Sequence, residues 1–200
     1  MRLGGGAGPA GFRLEVEAAW RSLAADADPA TVVAEWVAEL PELAPYAGQL
    51  TDLVDSALGL REQSGASAVL PFAAPYGERL YHGVMFVAPA AAPDNDPAAL
   101  AAAVRAEYGD EPMPDFYEVD EVTLDSGLPA VRVRQLVDLP LADAPEAVVM
   151  DTVRYAVPVP DSPEVIVLNF ATQALGFSDA LIGRADRLAR SFTFSTEDPP

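Results

Sequence analysis

Between residues 116 and 171 four segments of strand character follow one another with turn chemistry between them. The segments are Phe116 to Leu124, Pro129 to Leu139, Val148 to Val159 and Glu164 to Ala171. Asp125-Ser126-Gly127, Ala142-Asp143-Ala144-Pro145 and Pro160-Asp161-Ser162-Pro163 separate them. Asp, Ser, Gly and Pro favour turns because they tolerate or pre-set the backbone angles a turn requires. Strands joined by so few residues pair antiparallel, since a parallel pair needs a crossover of a dozen residues or more. This half of the chain therefore specifies an antiparallel meander. Val165-Ile166-Val167-Leu168 is apolar in both alternating sets, which predicts a central strand covered on both faces.

Helical periodicity dominates the remainder. Asp28-Pro29 pairs an N-cap with a proline at the first helical position, and Val33, Trp36, Val37 and Leu40 then fall on one face up to Pro41. Leu50, Leu53, Val54, Ala57 and Leu58 make a second stripe, running to about Gln63 and stopped by Ser64-Gly65. A hairpin follows, with strands at Ala68 to Phe72 and Arg79 to Val87 around Pro75-Tyr76-Gly77, and then a loop from Pro89 to Asp96. Asp96-Pro97 opens a third helix with Leu100, Ala103, Val104 and Tyr108 and a stop at Gly109. A last helix begins near Ser178 as N-cap, carries Leu181, Ile182, Ala185 and Leu188, and leads into a short strand at Ser191 to Phe194. Phe12 to Val16 alternates as a half-buried strand. The expected organisation is a flexible leader over residues 1–10, one α+β domain over 11–195 and a flexible tail over 196–200. In that domain helices pack against one face of an antiparallel sheet.

Composition removes many functions. The 12 basic residues are all Arg, against 31 acidic ones, for a net charge of −19. Nucleic acid is an unfit partner, because phosphate binding needs clustered positive charge, and an anionic membrane surface would repel the chain. Without Cys there is no thiol catalysis, disulfide or thiolate metal site, and without Lys no Schiff-base chemistry or Walker lysine. A G+C-rich coding bias accounts for the missing Lys as well as function does. The start, Met1 to Pro9, has no apolar signal core, and no stretch reaches the length of a membrane span. The expectation is a cytoplasmic protein.

Few residues gather as chemistry would require. His82 is the single histidine, so a multi-histidine zinc site is excluded, and it reads more simply as an ordinary strand residue than as a base or ligand. Asp94-Asn95-Asp96 starts like a calcium loop but meets Ala99 and Arg105 where Gly and Glu are needed. Asp110, Glu111, Asp115, Glu118, Asp120 and Glu121 form an acidic run, which reads as a solvated edge before a carboxylate pair or cation site. No Gly-x-Ser-x-Gly or Ser-x-x-Lys occurs, and Gly4 to Gly8 lacks the strand-to-helix context of a phosphate loop. Arg132 and Arg134, two apart, share a strand face with Val131 and Val133 opposite, and Arg154 between Val153 and Tyr155 is expected on that same sheet face. Three Arg forks there would grip carboxylate or phosphate. The competing reading is a cross-strand ion-pair ladder with Glu118 or Asp120, each pair contributing at most about 1 kcal/mol.

Several segments together resemble a known group. They are the first strand with Trp20, the helix pair ending at Ser64-Gly65, Gly127-Leu128-Pro129-Ala130-Val131-Arg132-Val133, Val153 to Pro160, Val165 to Phe170, and the last helix into Ser191-Phe192-Thr193-Phe194. Their order resembles the Mog1/PsbP-like α+β sandwich group, notably small proteins of G+C-rich bacteria. The resemblance covers most of residues 11–195, except that the helical pair in 29–63 has no clear place in it. It implies an accessory, partner-binding role without catalysis. The sequence thus points to a non-catalytic protein of a bacterial assembly that binds another protein with a basic surface. It has no catalytic residue, metal or cofactor, and Arg132, Arg134 and Arg154 are its candidate ligand-binding residues. The rival is a small-ligand binder or hydrolase using the Arg-bearing face or His82, and a homo-oligomer with a structural duty is a third reading.

Overall fold

The structure, a computed structural model, describes residues 2–5, 11–92, 96–106, 117–139 and 148–195. Its frame is a six-stranded, wholly antiparallel sheet in the order β3-β4-β8-β7-β6-β5. The strands are β3 (Ala68–Tyr76), β4 (Arg79–Ala91), β5 (Tyr117–Thr123), β6 (Pro129–Leu139), β7 (Val148–Pro158) and β8 (Glu164–Thr172). The expected meander is therefore present, with β8 inserted between the early hairpin and the later strands. The class is α+β, with helices packed against an antiparallel sheet.

Helices cover both faces, where the sequence placed them on one. On the front face lie α1 (Pro29–Glu39), α2 (Ala47–Ser64) and α3 (Pro97–Ala106). Asp28 caps α1, its carboxylate accepting from Thr31 N at 2.9 Å, and Gly65 ends α2 at φ 64°, a left-handed conformation suited to glycine. Val33, Trp36, Leu50, Leu53, Val54 and Ala57 bury the stripes of α1 and α2 against Val69 and Ala73 of β3. Ala101 of α3 packs on Val131 and Val133 of β6. The back face carries the larger core. Leu70, Phe72, Met85, Val153, Tyr155, Val157, Ile166, Leu168 and Phe170 meet Leu181, Ile182, Ala185, Leu188 and Ala189 of α4 (Ser178–Arg190). Ser178 is the first residue of α4 and makes no capping bond.

A second sheet closes that side. It consists of β1 (Arg2–Gly5), β2 (Phe12–Glu15) and β9 (Thr193–Phe194), in the order β1-β2-β9. Arg2–Gly5, expected to be flexible, thus pairs with Phe12–Glu15. Trp20 bridges to Phe72, and its ring lies 4.9 Å from the Phe72 ring and 5.6 Å from that of Phe170. Arg21 N, Leu23 N and Ala73 N complete bonds along the outer edge of β3, so that edge does not invite another strand.

α2 lies over β3 and β4, and α3 over β5 and β6. Over the central strands this leaves Val167, Asn169 and Ala171 of β8 and Thr152, Arg154 and Ala156 of β7 only half-buried on the front face. β8 is central as expected, yet its cover is complete on the back face alone. Among the described residues no helix is long and apolar enough to cross a membrane.

Candidate functional site

Arg132 and Arg134 project from the back face of β6, beneath α4, and each side chain is only 13% exposed. Arg132 grips Asp186 of α4 with two bonds, Nε to Oδ1 and Nη2 to Oδ2, both at 3.1 Å. Arg134 grips Asp151 of β7 in the same way, Nε to Oδ1 at 3.3 Å and Nη2 to Oδ2 at 2.7 Å. Arg134 Nη2 also donates to Asp179 Oδ1 at 2.7 Å, and the Tyr155 hydroxyl donates to Asp186 Oδ1 at 2.9 Å. On the open side Arg132 Nη1 stands 3.6 Å from Glu118 and 3.8 Å from Asp120 of the edge strand β5. The ladder to Glu118 and Asp120 therefore exists, but as the outer rim of a largely buried network. With Asp151 and Asp179 on one fork and Asp186, Glu118 and Asp120 around the other, an external anion would have to displace a carboxylate of the chain itself.

The electrostatics follow from this packing. The bonds Arg134 donates to Asp151, opposed by burial and reinforced by Asp179, raise its pKa above the usual arginine value. Burial works against the Arg132 charge, and the bonds and charge of Asp186 outweigh it. Burial, with the nearby charge of Asp186, raises the Tyr155 hydroxyl well above the ordinary tyrosine value.

Arg154 leaves the opposite face. Val133 pairs with Arg154 and Arg134 with Val153, so Arg154 lies on the front with Val133 and Asn169. The expectation of three arginines on one sheet face is thus corrected to two on the back and one on the front. Side-chain parity within a strand is fixed by sequence, but parity between strands depends on register.

His82 lies on the front face of β4 and is half-buried. It lines a cavity of about 460 Å³ together with Gln49, Asp52, Leu53 and Ser56 of α2, Val84 and Phe86 of β4, and Met150 of β7. Desolvation lowers its pKa below the ordinary histidine value, so the imidazole is neutral at pH 7. Gln49, Asp52 and Ser56 recur at i, i+3 and i+7 on α2. Their signal in the sequence was the polar flank of the Leu50-Leu53-Val54-Ala57 stripe, which periodicity analysis treats only as solvent-facing.

The outer surface of the α1–α2 layer is strongly acidic. Asp26, Asp28, Glu35, Glu39, Glu42, Asp52, Asp55 and Glu62 are all exposed. The one basic residue between positions 26 and 64, Arg61, turns inward and donates to Leu23 O at 2.6 Å. Of the acidic run named earlier, Asp110, Glu111 and Asp115 lie outside the described residues, as do Asp94 and Asn95, while Asp96 caps α3 by accepting from Ala99 N. Among the described residues no three His, Asp or Glu side chains gather as a metal site.

No protein-family profile matches the chain, and no curated protein matches it. Among solved structures it is similar to a protein of unknown function from Pseudomonas aeruginosa, at 14% identity and a TM-score of 0.38, over 66% of this chain and 83% of that one. A likeness that slight carries no argument about fold or function.

Proposed function

We propose that the chain is a non-catalytic, cytoplasmic accessory protein that binds a partner with a basic surface through the outer face of its α1–α2 layer. One observation carries the reading: eight exposed carboxylates stand on that layer, of which, among the described residues, Glu39 alone is ion-paired, with Arg21, and the layer's only arginine points inward. Such a face attracts cationic surfaces over about a Debye length and speeds their encounter. The closed forks of Arg132 and Arg134 support this reading over an anion-binding sheet. The Mog1/PsbP-like kinship is part of the same proposal.

The test titrates tagged full chain with basic candidate partners at rising salt. It then repeats the titration with a Glu35→Gln, Asp52→Asn, Asp55→Asn, Glu62→Gln variant. Affinity should fall with salt and again with the variant. A complex indifferent to both would overturn the reading, and light scattering on the chain alone reports any homo-oligomer.

A second reading rests on the His82 cavity, which brings Asp52 and Ser56 to the same space. It makes the cavity a small-ligand or hydrolytic site. Ester turnover that disappears in both His82→Gln and Ser56→Ala would support it, and turnover that is absent or equal in all three proteins would remove it.

A further inference from the structure

A second cavity, of about 590 Å³, lies on the back side between β2, α4 and the β5–β6 turn. Its lining differs from the rest of this acidic protein. Arg184, Arg187 and Arg190 enter it from successive turns of α4, beside the apolar surfaces of Val16, Trp20 and Leu188. Glu15, Glu17 and Asp125 also line it. Three arginines within seven residues are a quarter of the chain's basic residues.

Their donors exceed the local acceptors. A guanidinium has five N–H groups. Arg184 Nη1 donates to Glu17 at 3.4 Å, Arg187 Nε stands 3.6 Å from the same carboxylate, and Arg187 Nη1 donates to Gly183 O at 3.1 Å. The side chain of Arg190 forms no ion pair or hydrogen bond among the described residues. The two contacts to Glu17 are long and exposed, the kind that contributes almost nothing. Arg184 is anchored from within, its guanidinium 5.4 Å above the buried Phe72 ring.

Trp20 lies in the wall of the cavity. The residue is 2% exposed, and its indole Nε1–H is buried with no hydrogen-bond partner. That nitrogen is enclosed by the chain and does not itself meet a ligand, so the indole senses the cavity through its ring. The other tryptophan, Trp36, donates to Ala18 O. A cavity of this size holds a small organic molecule.

We propose that this cavity binds a small organic anion, a carboxylate or phosphate monoester carrying an apolar ring. The anionic group sits on Arg187 and Arg190, with Glu17 giving up its long contacts. The ring lies against Val16, Trp20 and Leu188. The site is separate from the acidic α1–α2 face and stands or falls without it.

The test is a titration of ¹⁵N-labelled full chain followed through its two indole signals, with Trp36 as internal control. The probes are phenyl phosphate, benzoate, inorganic phosphate and benzylamine. Phenyl phosphate or benzoate should shift the Trp20 indole saturably and leave Trp36 in place. In an Arg187→Gln, Arg190→Gln variant, both positions being exposed, the apparent Kd should rise about tenfold or more. A Trp20 signal that stays fixed, that moves equally with benzylamine, or that titrates alike in the variant would overturn the proposal. Inorganic phosphate acting as strongly as phenyl phosphate would remove the apolar ring from it.

Discussion

Replacing Arg134 by Met isolates the central claim about the arginine network. Asp151 is 2% exposed and its carboxylate receives two bonds from Arg134. Arg134→Met leaves that charge buried without its partner, a loss that typically costs about 3–5 kcal/mol. A domain of this size has a total stability of about 5–15 kcal/mol, so the variant forfeits a large share. At about 2–4 °C per kcal/mol for domains of 150–250 residues, Tm should fall by roughly 6–20 °C. Asp151→Leu should cost less, because Arg134 keeps its 2.7 Å bond to the exposed Asp179. The double variant Arg134→Met, Asp151→Leu removes both charges and fills the space with apolar atoms, so it should recover most of the loss. Urea denaturation of the four proteins gives the full cycle. If Arg134→Met cost under about 1 kcal/mol with an unchanged m value, or if the double variant were as unstable as the sum of the singles, the buried, mutually dependent pair would be refuted.

Three further perturbations follow. Gly83→Ala should destabilise strongly or prevent folding, since its methyl would come within 2.7 Å of Ala171 O and closer still to the Phe170 ring; a thermal melt near that of the parent would contradict the packing of Phe170 over β4. Tyr155→Phe removes the hydroxyl bond to Asp186 and should cost about 1–3 kcal/mol by urea denaturation. It should also flatten the fall in stability above pH 10, because the raised folded pKa makes the unfolded tyrosine ionise first and stability is lost as pH rises. His82, with a lowered folded pKa, contributes stability that is present above pH 6.5 and is lost as pH falls below it. Between pH 6.5 and 5, stability curves of His82→Gln should therefore slope less than those of the parent, and parallel curves would place His82 in water.

Much of the fold was legible because it rests on local rules. Asp28-Pro29 and Asp96-Pro97 start helices by capping chemistry, and the turns at Asp125 to Gly127 and Pro160 to Pro163 separate paired strands. What stayed hidden depends on how distant elements meet. Nothing local says that β8 inserts beside β4, and that insertion decides which strands lie at the centre. The same limit misplaced Arg154, because a one-residue difference in register moves a side chain to the other face. Asp151 had a faint local signal: it shares the alternation of Val153 and Tyr155, an acid in an otherwise apolar set. Asp186, one residue after the buried Ala185 on the stripe of α4, had another. Acids at such positions call for a buried cation, and Arg132 and Arg134 were the available ones.

The arginine count also changes meaning once positions are known. Arg21, Arg132 and Arg134 turn into ion pairs with side chains 12–13% exposed, and Arg61 turns to a backbone carbonyl. Arg21 neutralises one carboxylate of the α1–α2 surface, Glu39, at 2.8 Å; the other buried arginines do little to screen it, so that surface is more acidic than a net charge of −19 spread evenly would make it. By the same logic α4 becomes exceptional. One flank of it supplies Asp179 and Asp186 to the buried arginines, while Arg184, Arg187 and Arg190 face a cavity on the other. A single amphipathic helix thus packs on the sheet through its apolar stripe, pairs the buried arginines through its acids and offers its own arginines outward. Removing Asp186, which strips Arg132 of its bidentate partner, should destabilise the protein, whereas removing Arg187 and Arg190 should change only what it binds.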